Sequence, residues 1–128
     1  MATNRMKAIE DFMCDTLDAL FSDSVKVQKE FDATKECRSI QMQTTRRSPD
    51  DQHSMLKTTI DYNGLRFNRS DALSDIDKIY KKFPIYNTFV DNSFAISIVL
   101  MYITSPLRTI VDSHYGWTYT ATFEVTAT

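Results

Sequence analysis

The chain has 128 residues, 42% of them hydrophobic and 12% aromatic, with 15 Lys and Arg against 17 Asp and Glu for a net charge of −2. That length predicts a single domain over residues 1–128 with ample material for a core, and the mild acidity argues against a dedicated nucleic-acid binder, which carries a basic face. Only Gly64 and Gly116 are glycines, so neither a three-glycine dinucleotide fingerprint nor a Walker A loop is present.

Residues 1–21 begin without a signal-peptide pattern, because acids interrupt MATNRMKAIEDF before any apolar run. No stretch approaches the roughly 20 apolar residues of a membrane span. Met6, Ile9, Met13, Leu17, Leu20 and Phe21 recur at helical spacing, with Phe12 at the margin, and predict a first helix capped by Thr3 or Asn4 and ended at Ser22-Asp23-Ser24. Methionine in such a stripe is ordinary core filling.

A short strand is expected over Val25–Phe31, and a better one over Cys37–Thr44, where Ile40 and Met42 share a face opposite Ser39, Gln41 and Gln43. Thr45–His53 is a polar loop holding Arg46, Arg47, Asp50 and Asp51 around Pro49. It reads either as a solvated hairpin tip or as an arm whose paired charges of both signs meet a neighbouring subunit. Ser54–Tyr62 alternates again, and Asn63-Gly64 marks either a two-residue hairpin turn or a bulge before Leu65–Phe67.

The next helix, Asn68–Pro84, is the most amphipathic stretch. Ala72, Leu73, Ile76, Ile79, Tyr80 and Phe83 form its apolar stripe, Asn68 or Ser70 its cap, and Pro84 its end. Asp71 and Asp75 toward the start and Lys78, Lys81 and Lys82 toward the end suit the helix dipole. Asp71, Asp75 and Asp77 are expected on its solvent side. Ile85–Ser93 then reads as a connection.

Phe94–Thr104 is the most apolar strand. Phe94, Ile96, Ile98, Leu100 and Tyr102 are expected on one face, and Ala95, Ser97, Val99, Met101 and Ile103 on the other. Two apolar faces require two covers. The last strand, Trp117–Thr126, turns Trp117, Tyr119, Ala121, Phe123 and Val125 inwards and four threonines and Glu124 outwards. One sheet face is therefore polar at this strand yet apolar at Phe94–Thr104, which predicts a further covering element such as another subunit. The order of elements predicts an α+β fold, a mainly antiparallel sheet with two helices packed on one face.

No chemistry-bearing constellation stands out. His53 and His114 are 61 residues apart with no ligand-spaced partner, so no metal and no cofactor is expected. A Cys37–His pair lacks the basic surroundings that activate a thiol. No paired carboxylates suggest acid–base catalysis. The aromatic set Tyr102, Trp117, Tyr119 and Phe123 reads as core. The chain is not expected to be an enzyme, and Cys14 and Cys37 do not make a disulfide framework.

The segment SPLRTIVDSHYGWTYTATFEV, Ser105–Val125, carries a proline after a strand, Asp112 and Gly116 in a loop, and a final alternating strand over Trp117–Val125. This pattern, with the preceding order of elements, resembles the C-terminal end of tail-terminator and neck (minor capsid) proteins of long-tailed bacteriophages. The resemblance implies a virion protein, assembled in the host cytoplasm, that forms a hexameric ring, ends the tail tube and joins it to the head. Its implied partners are further copies of itself, the tail tube protein and the head–tail connector protein, with no specific nucleic-acid binding and no membrane. Arg46, Arg47, Asp50 and Asp51, with Val99, Met101 and Ile103 on the uncovered face, are the expected subunit-interface residues. The alternative is a small-ligand-binding or enzymatic cone, cystatin-like or nuclear-transport-factor-like.

Overall fold

The computed structural model describes residues 5–47, 56–90, 94–111 and 114–127. In chain order the elements are α1 (Arg5–Asp18), β1 (Val27–Gln28), β2 (Cys37–Arg47), β3 (Leu56–Arg66), α2 (Arg69–Lys82), β4 (Ile85–Val90), β5 (Phe94–Ile103), β6 (Leu107–Val111) and β7 (His114–Ala127). The strands form one sheet in the order β1-β2-β3-β7-β5-β4, with β6 also paired to β7. β1 joins β2 in parallel.

The expected α+β layer is overturned. The protein is mostly β, 52% strand and 26% helix, and its seven strands curl into a half-barrel. α1 lies against β1 and α2 against β3 and β7, so the helices are not two neighbours packed on one face of a flat sheet. Four features account for the difference. Ile85–Val90, expected as a connection, pairs with β5, and Leu107–Val111 adds a strand that the proline-bearing segment had concealed. β2, β3 and β7 run longer than their alternation suggests, and long strands accumulate twist. Register shifts between Met42 and Thr44 and between Leu100 and Tyr102 mark bulges that bend them further.

Gly64 is neither a turn nor a bulge. β3 runs unbroken through it, paired in register to Arg38 on one side and Tyr119 on the other. A Cβ at this position would overlap the Tyr119 ring, so the glycine lets the ring lie across the strand.

One core collects the inner row of the sheet and both helices. Ile9, Met13 and Leu17 of α1, Ala72 and Ile79 of α2, and Ile60, Tyr62, Tyr119, Phe123, Ile96 and Ile98 are fully or almost fully buried within it. Phe83 and Phe123 pack with ring centroids 4.7 Å apart. The inner face of α2 is narrower than its stripe. Leu73 and Tyr80 are 40% and 67% exposed, while Asp75, expected in solvent, is buried at the centre of the face.

Candidate subunit-interaction surface

β5 begins with the expected alternation: Phe94, Ile96 and Ile98 are buried, and Val99 faces outwards opposite Glu124. The bulge at Leu100/Tyr102 then inverts the parity. Leu100 pairs with Phe123, but Tyr102 pairs with Thr122 and Ile103 with Ala121. An extra residue in one strand exchanges the two faces for everything beyond it. Tyr102 therefore leaves the core and is 59% exposed, beside Met101 at 55%. Ile103 moves the other way and packs against the core.

β4 adds to this surface. Its register slips between Ile85 and Thr88, where Asn87 adopts a positive φ of 50° and donates its N–H to Ser97 Oγ at 3.0 Å. Asparagine tolerates that conformation better than most residues. Tyr86 and Phe89, at 64% and 67% exposure, stand clear of the body. Tyr80, Phe83, Pro84, Tyr86, Val99 and Leu100 line a cavity of about 250 Å³ between α2, β4 and β5.

The cavity straddles an open sheet edge. β4 covers β5 only from Phe94 to Ile98, and among the described residues no strand pairs with the outer edge of Val99–Ile103 or of β6. Monomeric proteins blunt such edges with lysine, proline or inward charge. This one reads Val99, Leu100, Met101, Tyr102, Ile103, without a charge. Contiguous exposed apolar surface of this kind makes the edge a candidate interaction site.

The expected interface residues divide accordingly. Val99 and Met101 lie on this surface, whereas Ile103 is turned into the core. Arg46 and Arg47 belong to β2, paired with Lys57 and Leu56, not to a loop. Asp50 and Asp51 lie outside the described residues. Arg46 shares a cross-sheet row with Lys57, Thr126 and Ser97, which separates it from β5 by three strand spacings, roughly 14 Å along the sheet. The Arg46–Arg47 end of β2 and the apolar residues of β5 are thus not one patch. Tyr86, Phe89 and the cavity were not anticipated, because they sit on a segment that reads as a connection. No protein-family model matches the chain, and no curated protein does so either.

A buried ionic cluster ties β2, β3, β7 and α2 together. Arg38 of β2, wholly buried, spends all five of its donors: Nε and Nη2 on Asp75 at 3.1 and 2.8 Å, Nη1 and Nη2 on Asp23 at 2.6 and 2.9 Å, and Nη1 on the Val25 carbonyl at 2.7 Å. Its guanidinium also stacks over Phe21, 3.6 Å from the ring centroid. Arg66 of β3 donates through Nη1 to both Asp75 oxygens at 2.9 and 3.0 Å, and through Nε to Glu36 at 3.0 Å. The Tyr119 hydroxyl donates to Asp75 at 2.7 Å. With its proton committed there, it must accept from Tyr62, 2.7 Å away.

Hydrogen bonding to Arg38 holds the Asp23 carboxyl far below the ordinary range, against a smaller opposing effect of burial. Burial pushes both tyrosine hydroxyls well above their usual value. Asp75 is thus a fully ligated carboxylate that fastens α2 to β2, β3 and β7. The alternation of Arg38 with Ile40 and Met42 places it inward, and this was the one available sequence signal for the cluster.

Proposed function

We propose that the chain is a structural virion protein, a tail-terminator or neck subunit that assembles into a closed ring, ends the tail tube and joins it to the head connector. The observation that carries this reading is the uncharged open edge at Val99–Ile103 together with the exposed Met101 and Tyr102. An edge of this kind in a lone domain invites uncontrolled pairing, whereas in a ring each copy covers the next. The resemblance at Ser105–Val125 supplies the biological setting. A net charge of −2 is compatible with a ring through which DNA passes without being held.

The cone-like ligand-binding alternative is less well supported. The hollow of the half-barrel is occupied by Tyr62, Tyr119, Phe123 and the buried ionic cluster, which leaves packing where a cone would keep a pocket. Light scattering during gel filtration tests the assignment. The protein should elute as a ring-sized species, and Met101→Asp with Tyr102→Asp should convert it to folded monomer. A wild-type protein that stays monomeric at high concentration would refute the proposal.

A further inference from the structure

Among the described residues, the β6–β7 hairpin is the second feature without a partner. β3 pairs with β7 only as far as Arg66 opposite Trp117, so among the described residues β7 residues 114–116 are held by β6 alone. The hairpin therefore extends beyond the sheet as a two-stranded ribbon, an element of marginal stability by itself. Arg108 pairs with Trp117 and Ile110 with Tyr115, which puts these four on one face. Ile110 is 72% and Tyr115 58% exposed, and the Arg108 guanidinium stacks 3.6 Å over the Tyr115 ring.

We propose that Ile110 and Tyr115 of one copy dock into the cavity between α2, β4 and β5 of the next copy, head to tail. This rests on the ring reading above and names the contact that would build it. The occupant has to come from another molecule. Val99 at the cavity pairs with Glu124, and Ile110 pairs with Tyr115, so hand and pocket are nine residues apart along β7, roughly 30 Å. A patch and a pocket at opposite ends of one molecule form a heterologous contact, which closes into a ring when the rotation permits.

Size and charge agree. A dry cavity of about 150 Å³ accommodates benzene, so the 250 Å³ here accepts one of the two side chains while the other packs over its mouth. Arg108 on the arm would approach Glu124, which faces outwards beside Val99. Tyr80, Tyr86, Val99, Met101, Ile110 and Tyr115 together would remove roughly 600–900 Å² from water, a weak interface singly. A ring repeats it at every junction.

The test uses two variants: an arm variant, Ile110→Asp with Tyr115→Asp, and a groove variant, Tyr86→Asp with Val99→Asp. Each alone should sediment as a folded monomer. Mixed in equal amounts they should form a species of two chains and no larger, because one good arm meets one good groove. An arm variant that still assembles to the wild-type mass would sink this contact while leaving the ring reading intact. A mixture that stays monomeric would sink it too, and a wild type that is itself monomeric would sink both. Should the aspartates disturb folding, a chain carrying Ile110→Cys and Val99→Cys gives an independent readout. Mild oxidation should yield a ladder of disulfide-linked chains that neither single-cysteine variant gives. No ladder from an oligomeric protein would overturn the proposal.

Discussion

Replacing Asp75 with alanine should be among the most damaging single changes in the molecule, although the residue looks like one of several solvent-facing aspartates on a helix. The side chain is 3% exposed and accepts from Arg38 Nε and Nη2, Arg66 Nη1 and the Tyr119 hydroxyl. Counting each of these four donors as a buried unmet group at about 1–3 kcal/mol gives an upper figure of about 4–12 kcal/mol. Water entering the vacated space, and Glu36 and Asp23 retaining their bonds to the arginines, reduce that. Breaking a buried ion pair by removing one partner costs about 3–5 kcal/mol in practice, and we expect this range for Asp75→Ala. Equilibrium urea unfolding followed by circular dichroism measures it. The effect should fall off along the chain of hydroxyls. Tyr119→Phe strands the buried Tyr62 donor and should cost about 1–3 kcal/mol, while Tyr62→Phe removes only the terminal donor and should cost about 0.5–1.5 kcal/mol. The reasoning fails if Asp75→Ala loses less than 1 kcal/mol, or if Tyr62→Phe is as harmful as Asp75→Ala.

Gly64→Ala should destabilise by about 1–3 kcal/mol through overpacking against the Tyr119 ring. In a Tyr119→Ala background the same change should become neutral or stabilising, and an unchanged penalty there would show that the ring is not the cause. For pH, Asp23 has a lowered folded-state value relative to 3.8, so its contribution is complete above about pH 4 and is lost as the pH falls below it. Asp11, brought down to about 2 by hydrogen bonds from Lys29 and Lys7, acts in the same direction. Asp23→Asn should therefore flatten the stability profile between about pH 4 and pH 2; a profile as steep as wild type would remove Asp23 from the account. Tyr62 and Tyr119 are raised from 10.0, so their neutral forms stabilise the fold fully below that value, and the contribution is lost as the pH rises from it through the higher folded-state values. Tyr62→Phe should make alkaline unfolding shallower, as read by circular dichroism between about pH 9 and 12.

Local periodicity determined the helices. The rows Ile9, Met13, Leu17 and Ala72, Ile79, Phe83 are legible because a turn of 3.6 residues imposes their spacing whatever they pack against. The inward row of the last strand was legible for the corresponding reason, since Tyr119, Ala121, Phe123 and Val125 alternate with a period of two. The strand's two apolar faces likewise put Val99 and Met101 on the face away from the core, and both are exposed. Tertiary structure decided the rest. A bulge is invisible to alternation, so the exchange of Tyr102 and Ile103 between faces could not be read from FAISIVLMYIT. Gly64 carries a turn signal, and only the ring of Tyr119, 55 residues further on, makes it a packing residue within a strand. Asp75 breaks its helix's apolar stripe, and a carboxylate in that position means solvent unless distant arginines supply its charge and its hydrogen bonds. Arg38 and Arg66 do so from two strands, β2 and β3, and no short window of sequence contains all three.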